Sequence, residues 1–213
     1  MKKKVVDPIL ETIATYDSVA QEYKKRYETY GDQNHMQSFL DKFISFLKKG
    51  AVVLDIGSGA GFDSKYLVDK GLKVTGIDLS DEMLKVAREI VPEAVFMKMD
   101  MGSLDFPQES FDGVWASASL VHVPRRDIKK VILEIKRVLK PQGIVYLSLK
   151  QGMGEKFVVN KGKGNLEGAR RFFSYYQKEE VVKLIEGNGY KLIGYGVNKN
   201  RENIWMNFFS QKK

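Results

Sequence analysis

The sequence predicts an α/β fold, a mostly parallel sheet wrapped on both faces by helices. Three observations predict it. Short apolar runs alternate with stretches of helical periodicity between residues 51 and 150, the pattern of repeated strand–helix units. The first apolar run ends in a glycine-rich turn, Gly57-Ser58-Gly59-Ala60-Gly61, where the backbone can bend sharply and lie against a ligand. The last two apolar runs are joined by a short polar turn over 198–201, so the final strand should run antiparallel.

Each element follows from local pattern. Residues 11–30 place Ile13, Tyr16, Val19, Ala20, Tyr23 and Tyr27 at steps of three and four, which predicts an amphipathic helix ended by Gly31-Asp32-Gln33-Asn34. A second helix is predicted over 35–49, with Phe39, Phe43, Phe46 and Leu47 on one face and Gly50 as its stop. Together they form an N-terminal helical extension. Strand 51–56 follows, then helix 62–70 stopped by Gly71, then strand 72–78. Ser80-Asp81-Glu82-Met83 reads as a capped start for a helix running to residue 90. Strands are predicted over 94–98 and 111–117. A helix over 127–139 is closed by Lys140-Pro141-Gln142-Gly143, and strand 144–150 follows. In the tail, Val181, Val182, Leu184 and Ile185 mark a helix over 177–187, and 190–197 and 203–209 read as strands. The glycine- and lysine-rich stretch 151–168 is expected to be a mobile loop. The whole is expected to be one domain over 1–213: a helical cap (1–50), a cofactor-binding core (51–150), and a loop, helix and hairpin (151–213).

Composition narrows the function classes. A chain of 213 residues with 43% hydrophobic and 29% charged content can bury a full core. Zero cysteines exclude disulfides, thiolate metal sites and cysteine nucleophiles. The two histidines, His35 and His122, argue against a histidine metal cluster, so no metal is expected. No apolar run approaches the ~20 residues of a membrane span, and the basic start Met-Lys-Lys-Lys is not followed by the apolar segment of a signal peptide. A cytoplasmic protein is expected. The net charge of +8 permits an acidic partner such as RNA, yet only eight of the 35 basic residues are Arg, the better reader of phosphates and bases.

The glycine turn itself selects among cofactors. A dinucleotide site has Gly-x-Gly-x-x-Gly; here the third glycine falls one residue early, at Gly61. Asp55 stands two residues before Gly57, where an acid suits a ligand bearing an ammonium group better than one bearing a pyrophosphate. Two further acids close strand regions: Asp78 after Val74-Thr75-Gly76-Ile77 and Asp100 after Met97-Lys98-Met99. Ligands of open parallel sheets bind beyond the carboxyl ends of the strands. Asp78 there can accept from a ribose diol, and NAD sites use an acid in the same way. Asp100 could accept from an adenine amine, with the Met101 N–H reading a ring nitrogen.

The pattern resembles a known family, the class I S-adenosylmethionine-dependent methyltransferases of small bacterial type. The likeness is carried by residues 53–61, by Asp78 and Asp100, by Phe111-Asp112-Gly113-Val114-Trp115-Ala116, and by Arg137-Val138-Leu139-Lys140-Pro141-Gln142-Gly143, where Gln142 replaces a glycine usual in the family. It runs from about Tyr16 to Phe209 and includes the segment 172–176. The resemblance implies a Rossmann-like three-layer sandwich with a mostly parallel seven-stranded sheet and an antiparallel last strand. It implies S-adenosyl-L-methionine as cofactor and S-adenosyl-L-homocysteine as product. Gly57, Ser58 and Gly59 would offer backbone to the methionyl part and Asp55 would orient its ammonium. Asp78 would hold the ribose with Leu79 beside the adenine, and Asp100 and Met101 would read the adenine edge. Ser117 would present a carbonyl near the methionyl group, and Tyr16 or Tyr23 would close over the cofactor.

His122 follows the fourth strand and is expected to line the acceptor pocket, where its intrinsic pKa suits proton removal. The Asn/Asp-Pro-Pro-Tyr sequence of many adenine and glutamine N-methyltransferases is absent after that strand, which carries Ala116-Ser117-Ala118-Ser119. The acceptor is therefore expected to be a small molecule methylated on O, N or C. Lys150, Lys156, Lys161, Lys163, Arg170 and Arg171 hint that it is anionic. An RNA or protein methyltransferase, an NAD-dependent oxidoreductase and a non-catalytic binder of the cofactor are the competing readings. The protein is expected to be a monomer or homodimer.

Overall fold

The computed structural model describes residues 7–30, 36–159, 168–200 and 203–213. Seven strands form one sheet in the order β3-β2-β1-β4-β5-β9-β8. They are β1 (Val52–Ile56), β2 (Lys73–Asp78), β3 (Val95–Lys98), β4 (Phe111–Ala116), β5 (Leu139–Lys150), β8 (Tyr190–Asn200) and β9 (Asn203–Lys212). β1 through β5 pair in parallel. β9 lies antiparallel between β5 and β8, as the short connection before it requires. Pairing continues out to Asn200 opposite Asn203, so the hairpin turn is tighter than 198–201; Arg201 lies outside the described residues.

The strands read as near-continuous apolar runs because both faces of the sheet are covered. Leu54, Ile56, Val114, Val145 and Leu147 point to the face covered by α5 (Ile128–Val138) and α6 (Lys178–Gly187). Val53, Val74, Trp115, Tyr146 and Phe209 point to the other, against α2 (Gln37–Ser45) and α3 (Phe62–Asp69). Phe43 of α2 meets Trp115 with ring centroids 5.2 Å apart. A side chain on Gly113 would stand 2.8 Å from the Phe43 ring, so this strand position has no room for a Cβ. α4 (Asp81–Ile90) is capped as its sequence predicts, the Ser80 hydroxyl accepting from the Met83 N–H at 3.1 Å.

Three departures matter for the site. The two N-terminal helices do different jobs. α2 covers the sheet face, whereas α1 (Pro8–Tyr30) crosses the carboxyl ends of the strands. It is tied to α4 by Ser80 Oγ donating to Asp17 at 2.6 Å, and to the opposite side by Thr15 Oγ1 donating to the Arg170 carbonyl at 2.7 Å. The stretch 151–168 is not all loop: β6 (Glu155–Val159) pairs antiparallel with β7 (Arg170–Ser174) as a separate two-stranded ribbon. Phe157 paired across the ribbon with Phe172, and Phe173 on the opposite face, supply the strand character that its glycines and lysines mask. Residues 160–167, with Lys161 and Lys163, lie outside the described residues, as do the helix stop at 31–34 and His35. Finally, β5 begins at Leu139 rather than 144, because Gln142 takes φ +63 and lets the chain run on as an irregular strand beside β4.

Candidate active site

One cavity of about 270 Å³ opens at the carboxyl ends of β1, β2 and β4, where the strand order reverses between β1 and β4. This is the crevice in which open α/β sheets take ligands. Every cofactor or base candidate from the sequence lines it: Tyr16, Tyr23, Asp55, Gly57, Ser58, Gly59, Asp78, Leu79, Asp100, Met101, Ser117 and His122; the basic candidates Lys150, Lys156, Arg170 and Arg171 are not among the lining residues. α1 forms its outer wall through Ile9, Thr12, Ile13, Tyr16 and Tyr23.

The three turn glycines are needed for three different reasons. Gly57 has φ +69, and a Cβ there would lie 2.4 Å from the Ser119 Cβ, so conformation and crowding both forbid a side chain. Gly61, at φ +82, packs against Ala87 and Phe96 and lets α3 and α4 approach. Gly59, at φ +52, has no heavy atom within 4 Å of its Cβ position: its bare side faces open space. The turn is anchored from β2, the Ile77 carbonyl accepting from both Gly57 N–H at 2.8 Å and Ser58 N–H at 3.0 Å.

Three carboxylates converge here. Asp55 is buried, and its Oδ2 accepts from the Ser64 hydroxyl at 2.6 Å. Burial pushes its pKa up to about 8, and the charges of Asp63 and Asp78 add to the shift against the pull of the Ser64 bond. Asp78 accepts from Gly59 N–H through Oδ2 and from Ser80 N–H through Oδ1, both at 2.9 Å. Burial raises its pKa while these backbone bonds lower it. Asp100 Oδ1 accepts from Gly102 N–H at 2.8 Å. Two buried hydroxyls on the cavity lining, Ser58 Oγ and Ser119 Oγ, have no hydrogen-bond partner among the described residues. Buried polar atoms are seldom left so, and here they fit a polar ligand. Nothing in the local pattern of the sequence marks Ser119; only its packing over Gly57 does.

Such a lining fits S-adenosylmethionine. In such a site Asp55 would face the ammonium, the open side of Gly59 and the two hydroxyls the methionyl part, and Asp78 the ribose diol. Asp100, Leu79 and Met101 line the same cavity and would face the adenine. Among the described residues no cluster of His, Asp or Glu could hold a metal.

The opposite end of the cavity has other chemistry. Tyr16 Oη lies 3.0 Å from His122 Nε2, and Arg171 donates to Tyr16 Oη at 3.1 Å. His122 Nδ1 lies 2.6 Å from the Phe172 carbonyl. A carbonyl only accepts, so Nδ1 carries the proton and Nε2 is the acceptor for the Tyr16 hydroxyl. The solution pKa assumed for His122 does not survive folding. Burial lowers it to about 4, with Arg171 and Lys150 pushing the same way against the Phe172 bond. The two tyrosines also separate: Tyr23 stacks on Phe62 with centroids 6.3 Å apart, whereas Tyr16 meets His122 edge-on at 5.6 Å.

Residues 54–147 match a family model described as a methyltransferase domain. A ubiquinone biosynthesis O-methyltransferase of Actinobacillus pleuropneumoniae is 30% identical over 180 residues, covering 74% of each chain. The 2-methyl-6-phytyl-1,4-hydroquinone methyltransferase of a Synechocystis strain is 35% identical over 135 residues, 56% of this chain and 42% of that protein. The chain thus spans well under two thirds of that relative's length. Among solved structures, a Burkholderia thailandensis 1,6-didemethyltoxoflavin-N1-methyltransferase, with bound 1,6-didemethyltoxoflavin and S-adenosylhomocysteine, shares the fold. Its TM-score is 0.74 at 20% identity, over 100% of this chain and 93% of that one.

Proposed function

We propose, for a chain that belongs to the class I S-adenosylmethionine-dependent methyltransferases, that it transfers the sulfonium methyl group to O, N or C of a small molecule. The observation that carries this reading is the convergence of Asp55, Asp78 and Asp100 with the open face of Gly59 and the orphan Ser58 and Ser119 hydroxyls in one cavity. The chain folds as a single catalytic unit. The basic stretch from Lys150 to Arg171 favours an acceptor with negative charge. A chain without cysteine has no disulfide to gain from an oxidising compartment, in keeping with a cytoplasmic enzyme.

When bound, S-adenosylmethionine supplies a methyl group already activated for displacement by its positive sulfur. The protein's part is to bind, align and exclude water. Asp78 would hold the ribose diol and Asp55 the ammonium, and the Ser117 carbonyl would serve the methionyl group. Asp100, Leu79 and Met101 would hold the adenine. α1 screens the reacting end from solvent, since its ties through Asp17 and Thr15 hold it across the cavity. An acceptor that must lose a proton passes it to His122 Nε2, directly in place of the Tyr16 hydroxyl or through it. The imidazole is neutral at any pH well above about 4, which leaves Nε2 unprotonated, but the burial that keeps it so also makes it a weak base, so it relays the proton rather than holding it.

The test is methyl transfer. Protein is incubated with methyl-labelled S-adenosylmethionine and panels of phenols, amines and carbon acids, and S-adenosylhomocysteine is quantified. Acceptor-dependent product is expected. Tight cofactor binding with no transfer to any small molecule, but label entering RNA or protein, overturns the small-molecule reading.

A further inference from the structure

We infer that the face of the β6–β7 ribbon carrying Lys156 and Arg171, together with Lys150 of β5, is an oxyanion-binding subsite that holds a carboxylate or phosphate group of the acceptor. The inference rests on the methyltransferase reading and gives the acceptor its chemical class and its docking point.

Two cations flank Phe173, and a third, the exposed Lys156, has its ammonium 4.9 Å from the ring centroid of Tyr175, two residues along the same strand face. Lys150 is only 8% exposed, and its ammonium lies 3.9 Å from the Phe173 ring centroid and 5.2 Å from that of Trp205. The Arg171 guanidinium lies 5.2 Å from the same Phe173 centroid. Lys156 is directly opposite Phe173 in the ribbon, so its side chain leaves the same face. None of the three has a carboxylate partner among the described residues, although the neighbouring Arg170 pairs with Glu11 and Arg125 with Glu180.

Buried charges are normally paired. Here the neighbours are like charges: Arg171 and Lys156 both disfavour the Lys150 ammonium, and burial brings its pKa down to about 8. Aromatic faces compensate in part, but Arg171 Nε is buried with no acceptor among the described residues. A cation cluster left short of one acceptor and of negative charge is complementary to an oxyanion, and Arg supplies the fork that grips one.

Its position ties it to the acceptor end. The Phe173 ring lies 4.8 Å from that of His122, and Arg171 donates to Tyr16 Oη. Lys150, Lys156 and Arg171 are not among the residues lining the cavity, so an acceptor anchored here reaches the cofactor end by parting the Tyr16 hydroxyl from His122.

The experiment titrates inorganic phosphate and, separately, acetate into full-length protein, free and saturated with S-adenosylhomocysteine. Binding is followed by the indole NMR signal of Trp205. Saturable movement is expected with at least one anion; phosphate alone binding selects a phosphorylated acceptor, acetate alone a carboxylate. Arg171→Gln and Lys150→Met should each weaken the anion at least ten-fold while S-adenosylhomocysteine affinity stays within two-fold. Arg171→Lys should recover part of the loss. No movement of Trp205 with either anion in the parent overturns the inference even if no variant folds, and so does equal binding by parent and variants. Failure of S-adenosylhomocysteine to bind strikes the cofactor reading instead, and the anion titration on free protein still decides this one.

Discussion

Replacing Asp55 by Asn should stabilise the empty protein while damaging cofactor binding. Asp55 is 2% exposed, and folding raises its pKa from 3.8 to about 8. Between those values the folded state binds the proton more tightly than the unfolded state, so stability falls as pH rises. The loss is about 1.4 kcal/mol per pH unit and accumulates to about 4 kcal/mol at pH 7. Asn resembles the neutral acid in shape, keeps an oxygen for the Ser64 hydroxyl, and has no charge to bury beside Asp63 and Asp78. His122 shifts the opposite way: its pKa is depressed to about 4, so its contribution is complete above 6.5 and is lost as pH falls. Taking the difference between variant and parent cancels that slope. Urea unfolding at several pH values should therefore show the Asn variant more stable. The gap should widen by about 2 kcal/mol between pH 6 and pH 7.5, and affinity for S-adenosylhomocysteine should fall at least ten-fold. A gap that does not change with pH, or a variant less stable than the parent at pH 7, would refute the reasoning.

Gly57→Ala places a Cβ 2.4 Å from the Ser119 Cβ at φ +69, and unfolding should show a loss of about 2–4 kcal/mol from strain and overpacking together. Gln142 sits exposed at φ +63; Gln142→Gly should gain about 0.5–1 kcal/mol in the same assay, strain relief outweighing the added chain entropy. The pH profile of kcat/KM should be level from pH 5 to 7 as far as His122 is concerned, because its imidazole is already neutral. An inflection near 6.5 that disappears in His122→Gln would contradict this. Asp78→Asn leaves one of the Gly59 and Ser80 N–H groups facing an amide donor, so it should cost about 1–3 kcal/mol and weaken S-adenosylhomocysteine binding, measured by thermal melting and calorimetry.

Much of this was legible in the sequence because it is local. The glycine spacing, the Ser80 cap and the acids closing β1 and β2 are set by a few adjacent residues, and strands buried on both faces read as apolar runs. The early third glycine separates this turn from a dinucleotide site, and the structure gives its reason in the packing of Gly61 on Ala87. What stayed hidden depends on contacts between residues far apart in the chain. The bond from Arg171 to Tyr16 spans 155 positions, and that from Tyr16 to His122 spans 106. The depressed basicity of His122 is a product of burial, which no property of an isolated histidine reveals. The β6–β7 ribbon was missed because its lysines and glycines are those of a loop, and only pairing across the ribbon makes it a strand.

Calorimetric titration of the protein with S-adenosylhomocysteine, beside NAD and beside an Asp78→Ala variant, bears most directly on the identity of the cavity. The account predicts saturable one-to-one heat with S-adenosylhomocysteine, at least ten-fold weaker in the variant, and none with NAD. Heat with NAD and none with S-adenosylhomocysteine would contradict it.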